Sequence, residues 1–147
     1  MLQIFGYRNF SSRPPGRPSH IRPDFQPVNE SVSDDAAIYW SDNLSKQKSE
    51  SVYESPDLLV IVMGNIYRKD NLLSRYPELK YLQDQGCAAN IARLYSLNKY
   101  DGLADLTGDF ILIIKDEKGE KLILIRDKMG GRKLYFTVLG GSLIFSS

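Results

Sequence analysis

The side chains best suited to nucleophilic chemistry are the single cysteine, Cys87, and the single histidine, His20. A cysteine thiol becomes a nucleophile when a neighbouring base or a lowered pKa supplies the thiolate. His20 lies in a stretch rich in proline and serine, and no feature of the sequence brings it near Cys87. Cys87 precedes a helical pattern, which favours a thiolate, but an inert and partly buried thiol is the favoured interpretation.

Glycine-rich stretches and aspartates are the other residues that could hold a ligand. The stretches 130–133 and 140–142 lack the frame and the final Lys-Ser/Thr pair of a nucleotide-binding loop, so we predict hairpin turns there. Four aspartates lack the spacing of metal ligands, and we predict that most of them form turns. Arg126 and Asp127 are expected to pair as ions at a strand end. The four aspartates are Asp105, Asp109, Asp116 and Asp127.

Composition narrows the class of protein. A chain of 147 residues, with 42% hydrophobic and 25% charged residues, fits one globular domain with an ordinary core. A net charge of +1 gives no basis for binding nucleic acid or an acidic membrane surface. The single cysteine cannot form an internal disulfide, and no apolar run has the length of a membrane span. The cytoplasm is therefore the expected location.

Strand patterns occur at both ends of the chain. Leu2 to Tyr7 predicts a short strand, whereas proline and serine across 10–56 predict a long loop region with one brief strand over Ala36 to Trp40. Leu58 to Met63 is a continuous apolar run rich in β-branched residues, which predicts a central strand buried on both faces. From Asp109 to Phe145 strands alternate with turns, which predicts hairpins.

Helical patterns lie between these strands. Asp70 to Arg75 has helical character, with Asp70 as a candidate cap. Cys87 to Leu97 carries apolar residues at three- and four-residue spacings, which predicts one buried face. Strands at both ends with helices between them predict an α+β fold, in which helices cover a largely antiparallel sheet.

Several short segments, in a fixed order, together resemble one known family. They are Met1-Leu2-Gln3-Ile4-Phe5-Gly6, Met63-Gly64-Asn65-Ile66-Tyr67-Arg68, Leu106-Thr107-Gly108-Asp109-Phe110, and Arg126-Asp127 followed by Gly130 and Leu134-Tyr135. The pattern resembles the glutaminase domain of asparagine synthetase-like amidotransferases, over most of residues 57–147 and the first seven. This resemblance implies an N-terminal nucleophile (Ntn) hydrolase-like sandwich of antiparallel β-sheets flanked by helices, in shortened form.

The resemblance also implies which residues would carry the chemistry, and two of them are replaced. In the family, the residue after the initiator methionine is a cysteine nucleophile with its own α-amino group as base. The matching residue here is Leu2, which has no nucleophile and is too large for the usual removal of Met1. The family's oxyanion is held by an asparagine amide and by the N–H of the next glycine, and here these positions are Met63 and Gly64. Gly64 is equally explained as a tight turn.

The residues that would hold glutamine are replaced or doubtful as well. The family binds the α-amino group of glutamine with an aspartate just before a helix, and the matching residue is Cys87, whose thiol cannot supply that ion pair. The nearest candidate for the substrate-binding arginine is Arg22, which occurs too early and lacks the following glycine, so a solvated loop arginine is the favoured interpretation. We therefore predict no catalytic residue. The predicted vestigial pocket consists of Leu2, Met63, Gly64 and Cys87.

Family members without the nucleophile occur among β-lactam synthetases and the macrolactam synthetases that close lasso peptides, and the segment 107–110 resembles those degenerate members. The resemblance implies that residues 1–147 form one inactive glutaminase-like domain, truncated before a C-terminal synthetase domain of an ATP-dependent amide ligase. The expected partner is that synthetase domain, in cis or in trans, and a homodimer stays open. ATP and Mg²⁺ are expected only in the missing domain, with no cofactor in this segment. An active glutaminase domain and a stand-alone ligand- or peptide-binding module are the alternatives.

Overall fold

The computed structural model describes residues 3–9, 29–32, 36–41, 51–67, 69–79 and 86–147. The chain divides into two compact units, the first formed by Met1–Ser45 with Lys133–Ser147 and the second by Lys46–Arg132. The described strands are β1 (Gln3–Asn9), β2 (Asn29–Val32), β3 (Ala36–Ser41), β4 (Val52–Glu54), β5 (Leu58–Tyr67), β6 (Thr107–Asp116), β7 (Lys121–Arg126), β8 (Tyr135–Leu139) and β9 (Ser142–Ser146). The described helices are α1 (Lys69–Arg75) and α2 (Cys87–Ala104).

The first unit contains a five-stranded antiparallel sheet in the order β2-β3-β1-β9-β8. Its central strand, β1, pairs with β3 on one side and with β9 on the other. Gly6 lies opposite Phe145, and a Cβ at Gly6 would come within 2.1 Å of the Phe145 ring. Because Gly6 has no side chain, the Phe145 ring packs over β1 and is 1% exposed.

The second unit contains a four-stranded antiparallel sheet in the order β4-β5-β6-β7. β5 and β6 pair along their whole lengths, from Leu58 opposite Asp116 to Tyr67 opposite Thr107. Consecutive residues of β5, from Leu58 to Met63, are all buried. Because successive side chains point to opposite faces, both faces of this part of the strand are covered, and the predicted central strand is confirmed. One face of the sheet and the two helices share a core cluster that includes Val60, Leu94 and Leu112.

Helix α2 is longer than the sequence pattern predicted, since it continues from Leu97 to Ala104 past a kink at Lys99, where φ is 50°. The extension packs because Gly102 leaves room for Leu94, whose Cδ1 would lie 2.8 Å from a Cβ at position 102. The predicted apolar face is confirmed, because all four of its residues are buried. These residues are Ala88, Ile91, Leu94 and Tyr95.

Three differences from the expected elements follow from strand pairing and helix bounds. The stretch 130–133, predicted as a hairpin turn, connects β7 to β8, and these strands belong to different sheets. The region 10–56, expected to be mainly loop, contains β2, which pairs with the predicted strand β3, and β4, which pairs with β5. Helix α1 begins at Lys69, so Asp70 lies inside the helix rather than at its cap. The α+β class with antiparallel sheets is confirmed. In the part of the chain that the structure describes, no helix is long and apolar enough to cross a membrane.

Candidate functional site

The middle of β5 carries two of the residues predicted to line the vestigial pocket, Met63 and Gly64. Met63 is 5% exposed and lies opposite Ile111 in the β5–β6 ladder. Because side chains alternate along a strand, Met63 shares the face of Ile61 rather than the helix-packed face of Val62. Its thioether has no hydrogen to donate, so this side chain cannot stabilise an oxyanion.

Gly64, the next residue, has a backbone conformation that requires glycine. Its φ is +101°, and a Cβ there would lie 2.1 Å from the carbonyl oxygen of Asp109 and 2.3 Å from Nε of Arg132. Side chains of L-residues rarely adopt such a φ, and the contact with a backbone carbonyl leaves no room for one. Gly64 lies within β5 and pairs with Phe110, so the turn predicted as its alternative explanation is wrong. The positive φ and the close approach of Asp109 inside the strand are sufficient to account for the glycine.

An ion pair next to Gly64 was not identified from the sequence. Nε of Arg132 lies 3.4 Å from Oδ2 of Asp109 and donates a hydrogen bond of 3.2 Å to the Asp109 carbonyl. The two side chains are 35% and 39% exposed, so this pair contributes little to stability. Oδ1 of Asp109 is buried and accepts no hydrogen bond from the described residues. The pair places a cation beside the glycine that the family uses as an oxyanion donor.

Arg126 and Asp127 hold the turn after β7, although not through the ion pair that we expected. Asp127 is 7% exposed, and its carboxylate accepts hydrogen bonds from the N–H groups of Phe110 (3.3 Å) and Gly130 (2.8 Å). Arg126 instead donates through Nη2 to the carbonyl of Gly130. The arrangement explains the Arg-Asp-x-x-Gly pattern physically, because both side chains satisfy backbone groups of one turn, in which Gly130 has φ +64°.

The substitution Asp127→Asn tests this account of the turn. An amide keeps one acceptor oxygen but turns an N–H₂ group toward one of the two backbone donors, so one buried hydrogen bond is lost. We expect the free energy of unfolding to fall by about 1–3 kcal/mol, as measured by urea denaturation. The matched control is Asp101→Asn, at an exposed residue of α2, which we expect to change stability by less than about 0.5 kcal/mol. Equal effects of the two substitutions would contradict the assigned role.

Cys87 is the first residue of α2, as the helical pattern predicted. The residue before it, Gly86, has φ 87°, and its carbonyl accepts a 2.8 Å hydrogen bond from Nδ2 of Asn90. Cys87 is half-buried and packs against the core cluster on the helix side of the sheet. Cys87 and Met63 therefore belong to opposite faces of β5, and a pocket shared by the two residues stays a prediction.

Other predicted residues lie outside the described ranges. These are Leu2 at the nucleophile position, Arg22 as the substrate-binding candidate, and His20. Within the described ranges, no group of three or more histidine, cysteine, aspartate or glutamate side chains could hold a metal ion.

Asp116 and Tyr95 form a buried polar network beneath α2, and the pKa of each departs from its ordinary value. Asp116, at the end of β6, is 8% exposed and accepts hydrogen bonds from the Tyr95 hydroxyl (2.8 Å) and the Gly119 N–H (2.7 Å). Burial by itself raises the pKa of Asp116, but these two hydrogen bonds and the nearby lysines Lys99 and Lys121 outweigh it, so the pKa lies below its ordinary value. Burial and the same hydrogen bond raise the pKa of Tyr95.

The network includes Lys99, the residue at the kink in α2. Nζ of Lys99 lies 3.8 Å from Oδ2 of Asp116 and 4.4 Å from the centre of the Tyr95 ring. The positive φ of Lys99 therefore occurs at a residue that contacts both an anion and an aromatic face. The contacts of this cluster hold α2, β6 and the turn after β6 together, which is a structural role. Asp116 pairs with Leu58, at the opposite end of the β5–β6 pair from Gly64.

Comparison with known proteins relates the chain to glutamine-dependent enzymes. A family model described as a glutamine amidotransferase domain matches residues 36–147. Asparagine synthetase [glutamine-hydrolyzing] 2 of Bacillus subtilis (strain 168) is 30% identical over 94 residues, which is 64% of this chain and 12% of that protein. The asparagine synthetase [glutamine-hydrolyzing] of Asparagus officinalis is 33% identical over 95 residues, covering 64% of this chain and 16% of that protein.

A third relative covers more of the chain. The putative asparagine synthetase [glutamine-hydrolyzing] 2 of Methanocaldococcus jannaschii is 26% identical over 123 residues, which is 83% of this chain and 22% of that protein. The chain thus spans less than a quarter of the length of these curated relatives.

Proposed function

Because the chain belongs to the glutamine amidotransferase domain family, in its N-terminal, asparagine synthetase-like form, we propose that it is an inactive member of that family. In this proposal the chain supports an ATP-dependent, asparagine synthetase-like enzyme that forms an amide, as in a macrolactam or a lactam. Its role is structural: it provides a folded surface for the synthetase region.

The observation that carries the proposal is the side chain at position 63 of β5. The family places an amide donor at this position, and here the side chain is the buried thioether of Met63. Loss of one such donor costs about 3–4 kcal/mol of transition-state stabilisation, or a factor of 100 to 1,000 in rate. The neighbouring Gly64 needs no catalytic explanation, since its φ of +101° already requires glycine.

Two further replacements support the same proposal from the sequence. Leu2 offers no thiol, no hydroxyl and, with Met1 retained, no free α-amino group as base. Cys87 begins α2, where the family uses an aspartate to hold the substrate ammonium. A neutral thiol does not supply the charge-assisted hydrogen bond that this contact requires.

The rest of the proposal concerns the larger assembly. A reaction in which an internal amine attacks an activated carboxylate needs no ammonia, so the glutaminase chemistry can be lost while the fold is retained. ATP and Mg²⁺ would then be bound by the synthetase region, in cis or in trans, and the assembly would work in the cytoplasm. The relatives cover several times the length of this chain, which is compatible with such a region.

The second candidate function is an active glutaminase domain. The names of the three relatives describe glutamine-hydrolysing enzymes, and this is the observation that favours it. It requires a nucleophile other than the residue at position 2, and Cys87 is the thiol that this sequence offers.

The two functions are separated by measuring glutamate release from glutamine. The purified chain is compared with Leu2→Ala, from which Met1 is removed without creating a nucleophile, and with Leu2→Cys, whose processing is verified by mass spectrometry. A third variant combines Leu2→Cys with Met63→Asn and Cys87→Asp. We expect the native chain and Leu2→Ala to release no glutamate above blank, and the triple variant to exceed Leu2→Cys alone by about 100-fold or more.

Each outcome of the glutamate-release assay supports one of the two candidate functions. Glutamate release by the native chain that disappears in Cys87→Ser contradicts the inactive-domain proposal and supports the second candidate. Silence of the native chain with activity in the triple variant supports the proposal and identifies the replaced side chains as the cause. If no variant releases glutamate, the proposal is supported as well, and residues of the pocket other than the three that were restored have also been replaced.

A further inference from the structure

β8 is an exposed apolar strand of the first unit. It lies at the end of the sheet order, where β9 is its neighbour and no other described strand pairs with its second edge. Four of its five residues are large and apolar, and they are exposed by 57% (Tyr135), 70% (Phe136), 64% (Val138) and 70% (Leu139). An edge strand that is apolar on both faces offers backbone donors and acceptors to another strand.

Natural edge strands are protected by charges, proline or a bulge, and β8 has none of these. The strand Tyr135-Phe136-Thr137-Val138-Leu139 contains no charged residue and no proline. All five residues pair regularly with β9, from Tyr135 opposite Ser146 to Leu139 opposite Ser142, so the strand carries no bulge. A flat and unprotected edge favours pairing with another chain.

The sequence of β8 is complementary to itself in the antiparallel direction. When two copies of the strand pair about Thr137, Phe136 of each lies opposite Val138 of the other, and Tyr135 lies opposite Leu139. Aromatic residues opposite β-branched or aliphatic residues are favourable cross-strand pairs, and opposed threonines hydrogen-bond. Lys133, the charged residue nearest the strand, then faces Gly141 of the second copy, so no like charges oppose each other.

We propose that β8 pairs with β8 of a second copy of this chain, which joins two five-stranded sheets about a two-fold axis. Such an interface is isologous, because the same strand is used by both copies. With about 150–250 Å² per aromatic side chain and the exposures given above, Tyr135 and Phe136 together offer on the order of 250 Å² per copy. This is less than the roughly 800 Å² per partner of a standard interface, so the dimer is weak and forms with rising concentration. The proposal goes beyond the proposed function and does not depend on it.

The test is the mass of the 147-residue chain in solution, measured by sedimentation equilibrium from about 5 to about 500 μM. We expect the average mass to rise from 16.7 kDa toward twice that value. Thr137→Lys places two lysines opposite each other at the centre of the pairing and is expected to weaken association by about tenfold or more. The matched control is Ser74→Lys, the same charge change at an exposed residue of α1, which should leave association unchanged.

Register is tested with a charge pair. Tyr135→Lys alone is expected to weaken association, and adding Leu139→Glu is expected to restore it, because each lysine then faces a glutamate of the second copy. Thermal melts at the lowest concentration check that each variant is folded. A wild-type mass that stays at 16.7 kDa across the range overturns the proposal, and so does equal weakening by Thr137→Lys and Ser74→Lys. Failure of Leu139→Glu to rescue Tyr135→Lys overturns the proposed register.

Discussion

Gly64→Ala is expected to destabilise the chain by about 2–6 kcal/mol, from two separate causes. The φ of +101° costs an alanine about 1–3 kcal/mol, since it lies outside the region that L-residues adopt readily. The new Cβ would also lie 2.1 Å from the Asp109 carbonyl and 2.3 Å from Nε of Arg132. The arginine side chain can move, but the carbonyl belongs to β6 and cannot move without disturbing the strand pairing, at a further cost of about 1–3 kcal/mol.

A matched variant separates the two causes. Gly140 lies in the turn between β8 and β9 with φ +57°, and no heavy atom lies within 4 Å of a Cβ built there. Gly140→Ala therefore carries the backbone cost alone, about 1 kcal/mol in the left-handed region. Urea denaturation of both variants should give a markedly larger loss for Gly64→Ala. Equal losses of unfolding free energy in the two variants would contradict the second cause, because they would show that β6 accommodates a Cβ at position 64 without a steric cost.

The predicted elements that the structure confirms are those with strong local patterns. The β-branched run from Leu58 became the buried first part of β5, and the apolar spacing after Cys87 became the buried face of α2. Elements that depend on a distant partner were not predicted. β2 and β4 have little apolar pattern of their own, and each is formed by pairing with a neighbouring strand.

The candidate site shows the same division. Met63 and Gly64 were identified from the family resemblance of one short segment, which begins at the last residue of the predicted strand. The contact of Arg132 with Asp109 joins residues 23 positions apart and depends on how the turn after β7 returns to β6. The role of Asp127 was mistaken for a similar reason, since its hydrogen-bond partner Phe110 is adjacent only after β6 and β7 have paired.

Asp116→Asn is the second substitution expected to have a large effect, because it removes the charge from a buried network. The carboxylate accepts one hydrogen bond on each oxygen, from Gly119 and from Tyr95. An amide presents an N–H₂ group to one of these donors, which leaves a buried donor unsatisfied, and it also loses the attraction of Lys99. We expect the free energy of unfolding to fall by about 2–4 kcal/mol at neutral pH.

A double-mutant cycle with Tyr95→Phe identifies the shared hydrogen bond. Tyr95→Phe alone should cost about 1–2 kcal/mol, and the double variant should lose less than the sum of the two single losses, by about 1 kcal/mol. Additive losses would contradict a direct coupling through the Tyr95–Asp116 contact. Tyr100→Phe is the control, since the Tyr100 ring contacts Tyr95 and is 51% exposed, but its hydroxyl makes no hydrogen bond to Asp116 among the described contacts.

The pH dependence of stability provides an independent check with a defined sign. The pKa of Asp116 is lower in the folded protein than its ordinary value of about 3.9, so the folded state binds the proton less readily than the unfolded state. The contribution of this carboxylate is therefore fully present above the unfolded pKa and is lost as the pH falls through the folded pKa. The difference in stability between the native chain and Asp116→Asn should accordingly be constant from about pH 6 to pH 8 and shrink below about pH 4. A difference that grows on acidification would mean that the protonated carboxyl, rather than the carboxylate, is the form that this network stabilises.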